Sequence, residues 1–109
     1  MSYDDAMADL MRADLGVMPG LGEKKMFGGL CFLLDGNMVC GVHAGGAMFR
    51  VGKAVEAEAR AIEGVSALSF TGRPMGGFVE SQEELLGDAP RLTKLVDMSL
   101  SYAASLPAK

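Results

Sequence analysis

Between Met26 and Val51, three short apolar segments are separated by two glycine-containing dipeptides, and this pattern constrains the fold more than any other feature. The dipeptides, Asp35-Gly36 and Gly45-Gly46, favour two-residue hairpin turns with positive φ. Each apolar segment is too short to be a helix. We therefore expect an antiparallel meander with strands Met26–Leu34, Asn37–Ala44 and Ala47–Val51.

Helical patterns flank the meander. Ser2 can cap a first helix with Asp5 in the capping-box position, and Gly16 suits the left-handed position that closes such a helix. Val17–Gly22 is expected to be a loop, and Asp88 is expected to cap a last helix that Pro107 ends. The predicted fold class is α+β, a single domain over residues 1–109 in the order α-β(3)-α-β(2)-α. The middle helix is Lys53–Glu63, and the last two strands are Ala67–Thr71 and Gly76–Glu80, joined by the turn Gly72-Arg73-Pro74.

Composition narrows the classes of function. The 109 residues carry a net charge of −4 and their Lys and Arg residues are scattered, so we expect no direct nucleic-acid partner. The start of the chain, Met1–Tyr3, has neither a basic region nor an apolar stretch. We therefore expect no signal peptide, no membrane partner and a cytoplasmic location.

Two-residue turns would fix the register of the meander, setting Leu33 opposite Met38, Cys31 opposite Cys40 and His43 opposite Met48. One face of the sheet would then be wholly apolar core. The other face is too apolar for water, because burying one large side chain is worth roughly 1.5–3 kcal/mol. Either the terminal helices or a second copy of the chain covers it. In the second case, the interface would consist of Phe32, Leu34, Val39, His43 and Met48.

The cysteines and the histidine each have two interpretations. Opposite one another, Cys31 and Cys40 would lie within disulfide reach, but reduced core thiols are the favoured interpretation for a cytosolic chain. His43 could act as a general base, yet no nucleophile or carboxylate can be placed beside it, so a structural histidine is favoured. Two cysteines and one histidine on opposite sheet faces cannot converge on zinc, so we expect no metal. Because no catalytic motif or constellation is recognisable, we also expect no cofactor and no catalytic residue.

Arg50 and Arg73 are the most informative charged residues. Together with Lys25 they could hold a carboxylate or phosphate through planar guanidinium groups. Each arginine could instead pair with a carboxylate such as Glu80 or Glu84, or lie exposed. Gly52-Lys53 invites comparison with a phosphate loop. That motif is rejected, because Ala47 stands where its first glycine is required and Ala54 replaces its Ser/Thr.

Five segments carry a resemblance to a known family: Lys25-Met26-Phe27-Gly28-Gly29, Asp35-Gly36-Asn37-Met38, Met48-Phe49-Arg50-Val51-Gly52, Phe70-Thr71-Gly72-Arg73-Pro74-Met75-Gly76-Gly77-Phe78 and Tyr102–Lys109. Together they resemble the TfoX N-terminal domain family, which is named for bacterial competence regulators, and the resemblance covers most of the chain. It implies an α-β(3)-α-β(2)-α fold, a bacterial cytoplasmic protein and no established catalytic residues.

The leading functional interpretation is a non-enzymatic regulatory or protein-interaction module that forms a homodimer and contacts a regulatory protein partner. The alternative is a sensor that binds a small anionic ligand through Arg50 and Arg73. An enzyme ranks third, because no titratable group stands at a recognisable spacing from a nucleophile. Direct DNA binding ranks fourth.

Overall fold

A computed structural model describes residues 5–26, 28–43, 46–70 and 73–108, and for residues 26, 69, 70 and 73–75 it describes the backbone only. Three α-helices, two short 3₁₀ helices and six strands lie in these ranges. In chain order they are α1 (Asp5–Leu15), β1 (Leu21–Met26), β2 (Gly29–Leu34), β3 (Asn37–His43), β4 (Gly46–Arg50), a 3₁₀ helix (Lys53–Val55), α2 (Glu56–Arg60), β5 (Val65–Phe70), β6 (Arg73–Gln82), a second 3₁₀ helix (Glu83–Gly87) and α3 (Ala89–Ala104).

The α+β class is confirmed, and the meander has one strand more than the sequence pattern predicts. β1 runs from the end of the expected loop, through residues 23–25, for which the sequence predicts no element, to the first residue of the expected strand, and it pairs with β2 from Leu21↔Leu34 to Met26↔Gly29. Its sequence, with Glu23, Lys24 and Lys25, lacks the apolar pattern of a strand. Charged side chains are common on edge strands because they discourage pairing with other chains.

All six strands form one antiparallel sheet in the order β1-β2-β3-β4-β6-β5. After β4 the chain passes through α2, forms β5 at the far edge and returns as β6 between β5 and β4. β5 and β6 extend beyond the predicted ranges, and Arg73 lies in β6 rather than in a turn.

Helix boundaries follow local sequence signals. Gly16, at φ 72°, closes α1 by donating its N–H to the carbonyl of Arg12. Asp88 caps α3 by accepting a hydrogen bond from the backbone N–H of Arg91 (3.3 Å), as the sequence predicts. α2 is shorter than expected because Lys53–Val55 is a 3₁₀ turn. The predicted cap Ser2 and the turn residues Gly45 and Gly72 lie outside the described residues.

The register of the meander differs from the predicted one at two places. Leu33 pairs with Met38 as expected, but Phe32 pairs with Cys40 and Cys31 with Gly41, so Val39 is an extra residue in β3. This is a β-bulge, which reverses the faces of the upstream part of β2 relative to β3. His43 pairs with Gly46 instead of Met48, because the second turn lies one residue earlier than expected.

The three helices pack on one face of the sheet. Apolar residues from α1, α2 and α3 form the main core with side chains from β2, β3, β4 and β6. The bulge places Val39 and Cys40 in this core together, both fully buried. The residues with the largest buried side chains here are Met11, Phe32, Val39, Val42, Phe49, Val79, Leu86, Leu95 and Val96.

Candidate functional site

The opposite face of the sheet has a separate apolar cluster to which no helix residue of the described ranges contributes. We call it the helix-free face. Buried side chains form its centre and half-buried ones its margin, so strands alone supply this cluster. Its members are Cys31, Met38, Met48, Leu68 and Phe78.

Polar side chains surround this cluster. Direct cross-strand partners point to the same side of a sheet, so Lys24, opposite Cys31, and Glu80, opposite Met48, also belong to the helix-free face. Lys24 is exposed, whereas Glu80 and His43 are half-buried. By the same rule Arg50, opposite Phe78, lies on this face. The face therefore has an apolar centre, cations on β1 and β4 and a carboxylate on β6.

The five residues predicted as an interface divide between the two faces. Phe32 and Val39 lie in the helix-covered core, and Leu34 packs against that core. The bulge is the reason, because it turns Phe32 toward the helices and leaves Cys31 on the other face. Met48 belongs to the helix-free face, and His43 lies at its margin.

The two cysteines are free and lie on opposite faces of the sheet. Cys31 belongs to the helix-free cluster and Cys40 to the main core, so the predicted cross-strand pairing is wrong. Burial raises the pKa of both thiols above the ordinary value, so the neutral thiol is favoured. The described ranges hold no group of three or more His, Cys, Asp or Glu side chains placed to bind a metal ion.

Arg50, at the end of β4, lies between two aromatic rings. Its guanidinium carbon is 5.8 Å from the centroid of Phe78 and 5.3 Å from that of Tyr102 on α3, distances typical of cation–π contacts. The side chain is half-buried. Of the ion pairs formed within the described ranges, none includes Arg50. The predicted pairing with Glu80 or Glu84 is therefore not formed there.

The backbone of neither of the other two residues of the predicted anion site lies beside Arg50. Lys25 lies on β1, three strands from β4, which is roughly 14 Å at the usual strand spacing. Its cross-strand partner Leu30 belongs to the helix-covered core, so Lys25 lies on the side of the sheet opposite to that of Met48. Arg73 begins β6 at its hairpin end, away from the residue that pairs with Arg50, and its side chain lies outside the described residues.

A different set of residues surrounds Arg50. A cleft of about 480 Å³, which we call the basic cleft, opens beside its guanidinium group. Lys53 supplies a second cation, and the backbone at Gly76 and Gly77 supplies part of the wall. The full lining is Arg50, Gly52, Lys53, Ala54, Gly76, Gly77, Phe78 and Tyr102.

A second cleft of about 500 Å³, the apolar groove, adjoins the basic cleft and shares Gly52, Ala54 and Tyr102 with it. It runs between α3 and the segment Val51–Glu58. Mostly apolar surface lines it, and charged side chains lie at its rim. The residues that line only the apolar groove are Val51, Val55, Glu58, Lys94, Asp97, Met98 and Ser101.

Two glycines determine the shape of the basic cleft. A Cβ at Gly52 would lie 2.5 Å from Cδ1 of Tyr102, so only glycine lets the ring rest on the backbone there. A Cβ at Gly76 would lie 2.8 Å from Cε of Lys53, so glycine also makes room for the lysine stem. The Gly52-Lys53 dipeptide thus belongs to a cleft although it is not a phosphate loop.

Sequence reasoning missed Lys53 and Tyr102 as site residues. The rejected phosphate-loop comparison could have drawn attention to Lys53. Tyr102 is about fifty residues from Arg50 in sequence, and only the packing of α3 brings the two together.

Among the helices of the described residues, none has the length and apolar character needed to cross a membrane.

Comparison with known proteins identifies one family. The sequence model described as the TfoX N-terminal domain matches residues 14–103 and so covers most of the chain, including both clefts and the helix-free face. No curated protein and no solved structure gives a significant match.

Proposed function

Because the chain belongs to the TfoX N-terminal domain family, we propose that it is a non-enzymatic regulatory or protein-interaction module of the bacterial cytoplasm. It acts through protein contacts made by the helix-free face, and its first partner is a second copy of itself. A regulatory protein would bind the resulting dimer.

The helix-free face is the observation that carries this proposal. The three helices that the structure describes pack on the other side of the sheet, and among the described residues strands alone supply the cluster around Met48. Met38 and Phe78 at its margin are half-buried, so further burial of their apolar surface would release free energy. The centre of the cluster is already buried, and its half-buried apolar margin beside polar groups is the kind of surface that protein contact sites use.

The charges on this face favour a second copy as its occupant. A two-fold axis parallel to the central strands, between two facing sheets, would bring the β1 side of one copy over the β5–β6 side of the other. Lys24 of one copy would then approach the side of the other that bears Glu80. Because the two-fold axis repeats each contact, the attraction between Lys24 and the side that bears Glu80 would occur twice in the dimer.

Light scattering coupled to size-exclusion chromatography over a range of concentrations tests the proposal. We expect the wild-type chain to self-associate and Met38→Glu to shift it toward monomer, because the new carboxylate would be buried in an apolar contact. Leu10→Glu is the matched control, since Leu10 is an exposed apolar side chain on α1 and not part of the helix-free face. Circular dichroism confirms that both variants are folded.

A wild-type chain that stays monomeric at every concentration would overturn the dimer. Equal effects of Met38→Glu and Leu10→Glu would show that self-association uses another surface.

The second candidate function is a sensor that binds a small anion through Arg50 and Arg73. The half-buried guanidinium of Arg50, which has no carboxylate partner within the described ranges, favours it. Isothermal titration of the chain with inorganic phosphate and with acetate tests it. Loss of all heat of binding in both Arg50→Met and Arg73→Met is the expected result, and unchanged binding in both variants would reject it.

A further inference from the structure

From the two adjoining clefts we infer that this chain binds an organic carboxylate with an apolar body: the carboxylate lies in the basic cleft, and the body lies in the apolar groove. This inference develops the second candidate function, from which it keeps Arg50. It replaces Lys25 and Arg73 with Lys53, and it does not depend on self-association.

Arg50 is held in a conformation suited to receive a carboxylate. Contacts with the rings of Phe78 and Tyr102 restrict the guanidinium before any ligand arrives, so less side-chain entropy is lost on binding. A guanidinium stacked on its faces keeps its N–H groups available at its edges, where a carboxylate can accept two parallel hydrogen bonds. Partial burial strengthens that interaction relative to one in open water.

Lys53 adds a second positive charge on the same cleft. Its stem lies over Gly76, which has no side chain to displace it. The nearby carboxylate of Glu56 accepts a hydrogen bond from the backbone N–H of Gly77 (2.8 Å) and lies 3.8 Å from Arg60. Glu56 is thus already bound to the cleft wall at Gly77 and lies near Arg60, and among the described residues no carboxyl side chain lines the basic cleft.

The apolar groove is the reason for inferring that the ligand has an apolar body. The groove shares Gly52, Ala54 and Tyr102 with the basic cleft. Val55 and Met98 contribute apolar walls to it. Glu58 and Asp97 line this groove but not the basic cleft, so their charges oppose entry of a carboxylate at that end. Lys94, which also lines the groove, lies on the same helix as Asp97. The charge distribution therefore orients an amphipathic acid with its carboxylate toward Arg50.

The dimensions agree with a small-molecule ligand. Each cleft lies within the range of about 300–1,000 Å³ that such sites occupy. A simple inorganic anion would leave the groove empty. An uncharged apolar molecule would leave the two cations of the basic cleft without a counter-charge.

Isothermal titration of the full chain with straight-chain carboxylates tests the inference, using hexanoate, octanoate and decanoate as probes. Each methylene that enters the groove is expected to raise the affinity about fourfold. Octanol and inorganic phosphate are the comparison ligands, because the first lacks the charge and the second lacks the apolar body. Both are expected to bind at least tenfold more weakly than octanoate.

Three charge-removing variants locate the site. Arg50→Met keeps the apolar stem and should weaken octanoate binding at least tenfold, since a bidentate charge-assisted pair is lost. Lys53→Met changes an exposed residue that is not expected to affect folding, and it should weaken binding several-fold. Lys25→Met is the matched control, because Lys25 is an exposed lysine that lines neither cleft, and its affinity should stay within twofold of wild type.

Several outcomes would overturn the inference: octanol binding as tightly as octanoate, phosphate binding as tightly as octanoate, or affinity independent of chain length. Wild-type affinity in Lys53→Met together with Arg50→Met would do the same. Light scattering on the same samples separates this result from the first proposal. Self-association without octanoate binding rejects the ligand alone, and octanoate binding by a monomer rejects the dimer alone.

Discussion

Replacing Gly52 with alanine should destabilise the fold strongly, although the change adds a single methyl group. Gly52 has φ 89° and ψ 155°, a combination that is essentially restricted to glycine. The backbone is held there because the N–H groups of Val51 and Gly52 both donate to the carbonyl of Gly77, at 2.9 and 3.0 Å. The chain therefore cannot relax to another conformation without losing these bonds.

Three contributions determine the expected free-energy change. Backbone strain at such a position costs about 1–3 kcal/mol. Displacing the Tyr102 ring, whose Cδ1 would lie 2.5 Å from the new Cβ, costs about another 1–3 kcal/mol as overpacking. The lower entropy of the unfolded alanine chain offsets about 0.4–1 kcal/mol. The net loss is about 3 kcal/mol, a large part of the 5–15 kcal/mol typical of whole domains.

Urea unfolding followed by circular dichroism measures this loss. With a slope of about 2 kcal/mol per molar urea, the midpoint of Gly52→Ala should fall by about 1.5 M. Gly22→Ala is the matched control. No atom lies within 4 Å of a Cβ built there and no positive φ is required, so its stability should be unchanged or slightly higher.

A double-mutant cycle with Tyr102→Ala separates the ring contribution from the backbone strain. Without the ring, Gly52→Ala should cost about 1–2 kcal/mol, the backbone part alone. A loss below about 1 kcal/mol in the wild-type background would refute the argument from backbone strain. An identical loss with and without the ring would refute the argument from contact with Tyr102.

Two further predictions concern charge and pH. Arg12 holds the pKa of Glu23 below its usual range through hydrogen bonds of 2.7 and 2.9 Å, so the pair contributes stability at neutral pH that is lost as the pH falls through the folded-state pKa. Because both side chains are substantially exposed, Glu23→Gln should cost less than about 1 kcal/mol in urea unfolding. If the loss of unfolding free energy in Glu23→Gln were unchanged in about 1 M salt, the pair would not be the exposed, salt-screened interaction described here. Burial raises the pKa of the Cys40 thiol above the ordinary thiol value of 9.0. Above pH 9.0 the unfolded chain releases this proton while the folded chain keeps it, so the free energy of unfolding should decline as the pH rises. The decline should be smaller in Cys40→Ala, and equal declines in the two chains would show that other groups cause it.

Local signals in the sequence predicted the end of α1, the start of α3 and the first turn of the meander. Gly16 and Asp88 act where the sequence places them, because capping depends only on the residue and its immediate neighbours. The Asp35-Gly36 turn also forms between β2 and β3, with both residues at positive φ. The charged sequence of the edge strand β1 has no alternation of apolar residues, so this strand was not predicted.

The pairing register of β2 and β3 could not be predicted from the sequence. The residues around the bulge are all apolar: Phe32, Leu33, Val39 and Cys40. Either face of this strand pair could therefore be core, with or without a bulge. The bulge at Val39 shifts the pairing by one residue and moves Phe32 from the predicted interface to the core. The error arose because hydrophobic alternation carries no information where both alternating positions are apolar.

The sequence by itself determined an α+β chain with a glycine-turned antiparallel meander, and it singled out Arg50 as a cation set among apolar residues. Tertiary structure alone decided what surrounds Arg50. Lys25 and Arg73 lie elsewhere on the sheet, whereas Lys53 and Tyr102 line the cleft beside it. The physical reason is that capping and tight turns depend on neighbouring residues, whereas strand order and the packing of α3 depend on the whole core.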